Sequence, residues 1–262
     1  MDKQPNYETI SVEIDDCICR VRLARPDRLN SFNALMMTEL KKAFRSISSN
    51  SDLRLVVVCG EGRAFCTGQD LEERRIPEGQ PKPDLGDSLR SNYNQLMLTI
   101  RNLSIPVVAV VNGVAAGAGA SFALGCDIVV AKSTARFLYP FTALGLVPDA
   151  GSTSNLPRSL GQARAMGLAL LGEEISAEEA ARCGLIWAAV SEEDLDDYVS
   201  AIEDRLVARP ALGLALTKRA IYRAFDQDYE HQLRTESECQ SIAGRNPIYW
   251  EKVLQFLNKG KS

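Results

Sequence analysis

A run of apolar residues that leads directly into a segment of glycine, alanine and valine most constrains how this chain can fold. Residues 107–111 read Val-Val-Ala-Val-Val, and an apolar run without alternation is typical of a strand covered on both faces. Residues 113–120 carry little side chain, so another group can approach their backbone closely. A helix that begins there would direct free N–H groups toward a negative oxygen. Tight helix packing explains the same glycines, and both interpretations stay open.

Composition indicates a cytoplasmic globular protein. The 262 residues are 45% hydrophobic and 24% charged, enough for one large domain or a domain with a helical appendage. A net charge of −4 gives no sign of a nucleic-acid partner. We expect no membrane partner and no signal peptide, because the chain lacks a long apolar stretch and a cationic, apolar start. Seven cysteines without Cys-x-x-Cys spacing favour reduced thiols and a cytoplasmic location.

The single histidine, His231, excludes several kinds of active site. A metal site with two or three histidine ligands needs more than one, so we predict no metal. A Ser-His-Asp triad would have to use His231, for which a solvated surface position is the simpler interpretation. A P-loop is excluded because no G-x-x-x-x-G-K-[ST] pattern occurs. Carboxylates and backbone N–H groups remain as candidate catalytic groups.

Periodicity and turn signals predict an α/β core over residues 1–195 and a helical region over residues 196–262. We expect the helical region to pack on neighbouring subunits rather than fold alone. Strands are predicted at 9–14, 18–23, 53–59, 107–111, 126–131 and 135–139, helices at 33–47, 88–103, 211–225, 229–242 and 248–257, and a mobile loop at 72–87.

A second loop that could present backbone N–H groups covers residues 64–71, after the strand predicted at 53–59. Gly68 permits an unusual backbone angle there. Asp70 is well placed to cap a following helix, and we favour this role for it over catalysis. Two such loops after neighbouring strands could together hold one oxygen.

Asp149 is the best acidic candidate for proton transfer. It is a lone carboxylate on an apolar turn, residues 144–151, that is punctuated by glycine and proline. Burial there would raise its pKa above about 3.9 and make it a stronger base. A helix cap, shared with Ser152 and Thr153, is an equally simple role for the same residue. Among the basic residues, Arg25, Arg28 and Lys259 could meet an anionic ligand, although solvated positions would explain them as well.

Three segments, residues 65–71, 112–119 and 145–151, resemble the enoyl-CoA hydratase/isomerase (crotonase) family in order and spacing. The resemblance implies an α/β spiral of ββα repeats with a C-terminal helical trimerisation region. It also implies a homotrimer or a dimer of trimers, an acyl-CoA thioester as substrate, and no cofactor other than the CoA of that substrate. The backbone N–H groups of Gln69 and Ala118 match the family's oxyanion positions.

The resemblance also assigns substrate and CoA contacts. Phe256 and Lys259 match positions that reach CoA bound to a neighbouring subunit. The full set of matching positions is Arg25, Arg28, Ala64, Cys66, Gly68, Asp70, Leu71, Gly117, Gly119, Phe141, Phe256 and Lys259.

Departures from the family pattern bear on the reaction. Family hydratases carry two glutamates at positions where this chain has Ser121 and Phe141, whereas Asp149 stands where several family isomerases hold an acid. We therefore expect an isomerase, with Asp149 as the acid/base. Residues 28–33, 83–86, 163–172 and 184–187 are similar to the family's isomerases of phenylacetate breakdown, which implies a ring-epoxide or 3-enoyl-CoA substrate. Gly151-Ser152-Thr153 departs from that pattern. An enoyl-CoA hydratase and a non-catalytic acyl-CoA-binding protein are the alternatives.

Overall fold

The computed structural model describes residues 6–259, and side chains as far as Asn258. Its strands are β1 (Ile10–Asp15), β2 (Ile18–Leu23), β3 (Leu55–Gly60), β4 (Ala64–Cys66), β5 (Val107–Val111), β6 (Val114–Ala116), β7 (Ile128–Lys132), β8 (Arg136–Leu138), β9 (Glu174–Ser176) and β10 (Ala188–Val190). Its α-helices are α1 (Ala34–Ser48), α2 (Leu85–Ser88), α3 (Asn94–Asn102), α4 (Ala118–Leu124), α5 (Ser152–Leu160), α6 (Gln162–Leu171), α7 (Ala177–Arg182), α8 (Leu195–Val207), α9 (Ala211–Arg223), α10 (Tyr229–Gly244) and α11 (Pro247–Lys259). A π-helical stretch, Leu89–Tyr93, joins α2 to α3.

Two sheets divide the strands between them in alternation. The larger has the order β1-β2-β3-β5-β7-β10 and the smaller β4-β6-β8-β9. In three successive repeats the first strand (β3, β5, β7) joins the larger sheet and the second (β4, β6, β8) joins the smaller, with a helix following each pair. All of these neighbouring strands are parallel, whereas β1–β2 and β8–β9 are antiparallel. The predicted α/β spiral of ββα repeats is confirmed.

The strand β5 is covered on both faces, as its sequence predicts. Val107, Ala109 and Val111 belong to the main hydrophobic core. Val108 and Val110 point the other way, into a second cluster that includes three residues of α8. Because side chains alternate along a strand, a continuous apolar run gives each face of the sheet its own apolar layer.

The helices begin where short polar side chains can accept a backbone N–H. Asn33 caps α1 by accepting from the Met36 amide at 2.8 Å, and Ser176 caps α7 through the Glu179 amide. The loop predicted at 72–87 is shorter than expected: a 3-10 turn occupies Leu71–Arg74 and α2 begins at Leu85. The sequence prediction overestimated the length of this loop. Its prolines favour a loop, but they all lie between the two helical turns and therefore prevent neither turn from forming.

Two C-terminal helices are attached to the sheet by polar contacts as well as apolar ones. Glu203 of α8 pairs with Arg20 of β2 at 2.5 Å. In α9, the Lys218 ammonium lies 2.7 Å from the Asp127 carboxylate, to which the Tyr222 hydroxyl donates at 2.8 Å. These contacts lie mostly away from water, where removing one partner costs more than at the surface. The helix α10 packs on α9, and α11 packs on α10.

Candidate active site

Pairing of two short strands brings the two glycine-containing loops side by side. The strand β4 runs parallel to β6, with Ala64 opposite Val114, so the chain that leaves each strand enters the same region. A Cβ atom on Gly68 would lie 2.9 Å from the Ala116 carbonyl oxygen and 3.2 Å from the Ala118 nitrogen. A Cβ on Gly119 would lie 2.2 Å from the Cys66 carbonyl oxygen. The close approach of the loops therefore requires glycine at both positions.

The backbone of Gln69 forms a bridge with Phe32, and the Gln69 N–H points away from Phe32. Phe32 donates its amide to the Gly68 carbonyl at 2.7 Å and accepts from the Asp70 amide at 2.9 Å. Gln69 lies between Gly68 and Asp70. In such a parallel bridge the residue in that position directs its own N–H to the side away from the paired strand. Among the described residues, the Gln69 N–H has no acceptor. The same holds for the N–H of Ala118, the first residue of α4.

Gly117 turns the chain between β6 and α4. Its φ of 54° and ψ of −127° lie outside the regions that other residues adopt without strain. A Cβ added there would come within 3.8 Å of the Phe141 ring, which is itself buried. Gly117 thus sets the direction in which Ala118 enters the helix, and Phe141 lies against that turn.

Tyr93 holds the side chain of Gln69, and nothing in the sequence marked it as a site residue. Its hydroxyl donates to the Gln69 side-chain oxygen at 2.8 Å. Burial raises the Tyr93 pKa, and the negative charge of Asp149 raises it further. Tyr93 repeats at helical spacing with Leu96 and Ile100, both buried, so its sequence context indicates only a core residue.

Asp149 is a partly buried carboxylate with an unpaired oxygen. Its Oδ1 atom is buried and has no hydrogen-bond partner within residues 6–259. Loss of hydration raises the Asp149 pKa from 3.8 to about 6, although the residue's own backbone N–H opposes the rise. A carboxyl group with a pKa near neutral can both accept and return a proton at physiological pH.

The structure decides against a helix-capping role for the Asp149 side chain. The helix α5 begins at Ser152, and the residue before it is Gly151, with a φ of 90° and no side-chain cap. It is the Asp149 carbonyl, not its carboxylate, that accepts from the Ser152 amide at 3.0 Å. The carboxylate is left free for chemistry. The two residues before α5 adopt positive φ, which carries the acidic side chain out of capping position.

Asp70 has the predicted capping role, and Arg25 is its partner. The Asp70 carboxylate accepts from the Glu72 amide at the start of the Leu71–Arg74 turn. Its other oxygen lies 2.8 Å from the Arg25 guanidinium, which also donates to the Ser31 carbonyl at 2.6 Å. The hydrogen bond from Arg25 lowers the Asp70 pKa. Arg25 is therefore not a free surface cation: it fastens the loop that carries Gln69.

The other predicted substrate contacts include both buried and exposed residues. Ala64 and Cys66 are buried beside the site, and burial raises the Cys66 pKa to about 12, so its thiol stays uncharged. Arg28 and Leu71 are exposed. Phe256 is 79% exposed on α11, which the single chain does not bring to the turn at Gln69. The side chain of Lys259 lies outside the described residues. The roles of these residues in CoA binding stay predictions.

A cavity of about 310 Å³ lies beside the Asp149 turn. Its lining includes Ala150 and Gly151 of the turn, apolar side chains of Met97, Leu98 and Leu124, and the polar groups of Arg101 and Tyr222. Neither this cavity nor two larger ones, each about 490 Å³, has Gln69, Ala118 or Asp149 in its lining. The smaller cavity borders the turn that carries Asp149 through Ala150 and Gly151.

Other kinds of site find little support in the part of the chain that the structure describes. Over residues 6–259, no three His, Cys, Asp or Glu side chains gather closely enough to hold a metal ion. His231 is exposed and contacts Asp228, the cap of α10, as expected for a surface residue. No helix within the same range combines the length and apolarity needed to cross a bilayer.

The model of one protein family, enoyl-CoA hydratase/isomerase, matches residues 13–262. The chain belongs to the enoyl-CoA hydratase/isomerase family. It is 44% identical over 252 residues to 1,2-epoxyphenylacetyl-CoA isomerase of Escherichia coli (strain K12), with 96% of each chain covered. It is 41% identical over 254 residues to a protein of Rhodobacter capsulatus named as a probable enoyl-CoA hydratase, which covers 97% of this chain and 96% of that one.

Solved structures of the same family share the fold. The crystal structure of an enoyl-CoA hydratase from Bacillus anthracis superimposes with a TM-score of 0.90 at 28% identity, over 96% of this chain and 97% of the other. The enoyl-CoA hydratase/isomerase family therefore accounts for nearly the whole chain, including the C-terminal helices.

Proposed function

We propose that this family member is an acyl-CoA isomerase that moves a proton through a thioester enolate. Asp149 is the acid/base, and the N–H groups of Gln69 and Ala118 hold the thioester oxygen. The support for this pair of donors is that neither amide has an acceptor among the described residues, while Gly68 brings the two loops into contact. Loss of one such donor typically costs about 3 kcal/mol of transition-state stabilisation.

In this reaction Asp149 takes a proton from the carbon next to the thioester carbonyl. The electron pair of the broken C–H bond moves onto the carbonyl oxygen, which the two amides hold as an enolate. With a 3-enoyl ester, the Asp149 carboxylic acid then returns the proton to the γ-carbon as the enolate electrons flow back, and the double bond moves next to the thioester. With a ring epoxide, the bond between the two epoxide carbons also breaks, so the three-membered ring opens into a larger cyclic ether, and the proton returns to a ring carbon. A pKa of about 6 suits both steps, because the group ionises readily at neutral pH and still donates well once protonated.

The observation that carries the proposal is the free carboxylate of Asp149. Asp149 has a buried, unpaired oxygen. Ser121 and Phe141, at the two positions where the family's hydratases carry glutamate, are both buried, and neither can activate water as a carboxylate does. One carboxylate suffices to move a proton within a substrate, whereas the family's hydration chemistry uses two.

For the substrate, we propose a ring-epoxide or 3-enoyl-CoA thioester. The support is the activity for which the E. coli relative, 1,2-epoxyphenylacetyl-CoA isomerase, is named, and the partly apolar cavity that borders the turn carrying Asp149. Either conversion is an isomerisation with no net oxidation, reduction or gain of atoms, so it needs no cofactor beyond the CoA of the substrate.

For the assembly, we propose a homotrimer or a dimer of trimers in the cytoplasm, built through the helical region 196–262. Large apolar side chains are exposed on α10 and α11, among them Ile242, Tyr249, Leu254 and Phe256. An exposed apolar surface of this kind is typical of a protein interface. Since α8 and α9 are attached to the sheet, α10 and α11 are the helices that we propose for subunit contacts.

A turnover screen with purified protein tests the proposed function. It uses 3-enoyl, 2-enoyl and ring-epoxide CoA esters as substrates. The wild type is compared with Asp149→Asn and with a control, Asp52→Asn, at an exposed carboxylate. We expect isomerisation of a 3-enoyl or ring-epoxide ester by the wild type and the control. Asp149→Asn should lose turnover and keep its affinity for the CoA ester. Unchanged turnover in Asp149→Asn contradicts the assignment.

The relative of R. capsulatus supports a second candidate, an enoyl-CoA hydratase in which Asp149 works with another group. Addition of water to a 2-enoyl-CoA, without isomerisation of the other esters, would favour this candidate. Tight binding of CoA esters with no turnover of any would instead indicate a non-catalytic acyl-CoA-binding protein.

A further inference from the structure

Two buried serines connect the turn at Ala118 with the turn at Asp149. Ser121 lies on α4 and Ser152 is the first residue of α5, and neither is exposed to solvent. Their hydroxyl oxygens are 2.7 Å apart. The Ser152 hydroxyl donates to the Asp149 carbonyl at 2.5 Å, and the Ser121 hydroxyl lies 3.1 Å from the Gly117 carbonyl. A continuous polar path thus runs from one side of the candidate site to the other.

The two hydroxyl protons cannot fill all three of these contacts at once. One proton must lie between the two oxygens, because oxygens 2.7 Å apart repel each other without it. The second proton then goes either to the Asp149 carbonyl or to the Gly117 carbonyl. The shorter distance favours the direction Ser121 to Ser152 to Asp149. Hydrogen bonds in such a chain polarise one another and strengthen the whole.

The turn at Asp149, which these hydrogen bonds hold, has an unfavourable backbone conformation. Ala150 has a φ of 49° and Gly151 a φ of 90°, and left-handed geometry at a residue such as alanine costs on the order of 1 kcal/mol. The turn is held at the backbone carbonyl of Asp149, which accepts hydrogen bonds from both the amide and the hydroxyl of Ser152. Anchoring that carbonyl to α4 limits where the Asp149 carboxylate can lie.

We propose that the Ser121–Ser152 hydroxyl pair is a positioning device, which sets the Asp149 carboxylate relative to the Ala118 amide. The inference rests on the proposed function, since it assigns those two groups to proton transfer and enolate binding. Neither serine touches the substrate in this proposal. The pair matters because Asp149 and Ala118 must act on one substrate together, and a displacement of about 1 Å can cost on the order of 100-fold in rate.

The test compares Ser121→Ala, Ser152→Ala and the double variant, with Thr153→Ala as a control at an exposed hydroxyl on the same helix. Turnover is measured with the ester that the wild type isomerises, and thermal unfolding checks that each variant is folded. Acetoacetyl-CoA is the second probe, because its enolate absorbs in the ultraviolet and reports how well the site stabilises an enolate.

We expect each single variant to lower kcat about tenfold and to weaken the enolate band, with KM changed by less than about twofold. The double variant should lose little more than either single one, because the hydroxyls act as a unit. Thr153→Ala should match the wild type. Folded serine variants with wild-type kcat, or with a changed KM alone, overturn the positioning role. A wild type that isomerises no ester contradicts the proposed function itself, and this inference with it.

Discussion

The Tyr93 hydroxyl donates a 2.8 Å hydrogen bond to the side-chain oxygen of Gln69. Arg74 donates to the same oxygen at 3.1 Å, and the Gln69 side-chain amide donates to the Phe32 carbonyl. The Gln69 side chain is therefore held on both of its polar atoms. Since its own backbone N–H is the proposed oxyanion donor, these bonds orient that donor without occupying it.

Tyr93→Phe should lower kcat by about fivefold, while the free energy of unfolding falls by only about 1 kcal/mol, the usual contribution of one hydrogen bond. The physical reason is that Gln69 keeps Arg74 but gains freedom to rotate. Steady-state kinetics and urea unfolding measure the two effects. Tyr198→Phe, at a surface ring on α8, is the control and should leave kcat unchanged. Equal losses in both tyrosine variants would contradict the orienting role.

Activity should depend on the ionisation of Asp149. Burial raises its pKa to about 6, so the base form is lost as the pH falls below that value. We expect kcat/KM to fall about tenfold per pH unit below 6 and to level off above 7. A profile of initial rates from pH 5 to 8 measures it. A plateau that extends unchanged to pH 5 would show that another group is the base.

Asp149→Asn should stabilise the fold at neutral pH. The folded-state pKa of Asp149 lies above its value of 3.8 in the unfolded chain, so the folded state binds more protons between these values. The contribution of Asp149 to stability therefore declines as the pH rises through about 6, and the charged form costs up to about 3 kcal/mol at pH 7. Urea unfolding should show a larger gain for the variant at pH 7.5 than at pH 5. A gain independent of pH would exclude this cause.

Gly68→Ala should abolish turnover and destabilise the protein, because its methyl group would meet the Ala116 carbonyl and the Ala118 nitrogen. Gly79→Ala is a matched control: Gly79 has a φ of +82°, close to the +86° of Gly68, but nothing within 4 Å of an added Cβ. Both variants carry the same backbone strain of about 1–2 kcal/mol. Only Gly68→Ala should lose activity, and full activity in that variant would exclude a close contact between the loops.

Phe256→Ala tests the contact with a neighbouring subunit. The side chain is exposed in the single chain, so a role in CoA binding requires a second copy. We expect KM for the CoA ester to rise at least about threefold, with kcat little changed, since the proposed contact is with the CoA part and not with the reacting carbons. Gln255→Ala, at the exposed position beside it, should have no effect. Kinetics combined with sedimentation analysis separate loss of assembly from loss of contact.

Local pattern was sufficient for much of the fold. The run at Val107–Val111 predicts a strand covered on both faces, and Asn33 predicts the start of α1; both are confirmed. The capping role of Asp70 is confirmed as well. These features depend on residues close together in the chain, where hydrogen bonding and side-chain alternation follow directly from residue type.

The support of the candidate site could not be predicted in the same way. Tyr93 has the helical spacing of a core residue, and no pattern marks its bond to Gln69 across 24 positions. The pair Ser121 and Ser152, 31 positions apart, is likewise invisible in the sequence. Two roles were open for the Asp149 side chain, and the positive φ values before α5 decided between them.

The sequence by itself determined the family, because three motifs in order and spacing carry the resemblance, and that resemblance implied the ββα repeat. Residue type and local context also marked Asp149 as the best acidic candidate. Only the tertiary structure decided that Asp149 keeps an unpaired, buried oxygen with a raised pKa, and that Arg25 is committed to Asp70. Burial and charge pairing depend on which distant segments pack together, and it is packing that removes water from a carboxylate or supplies it with a partner.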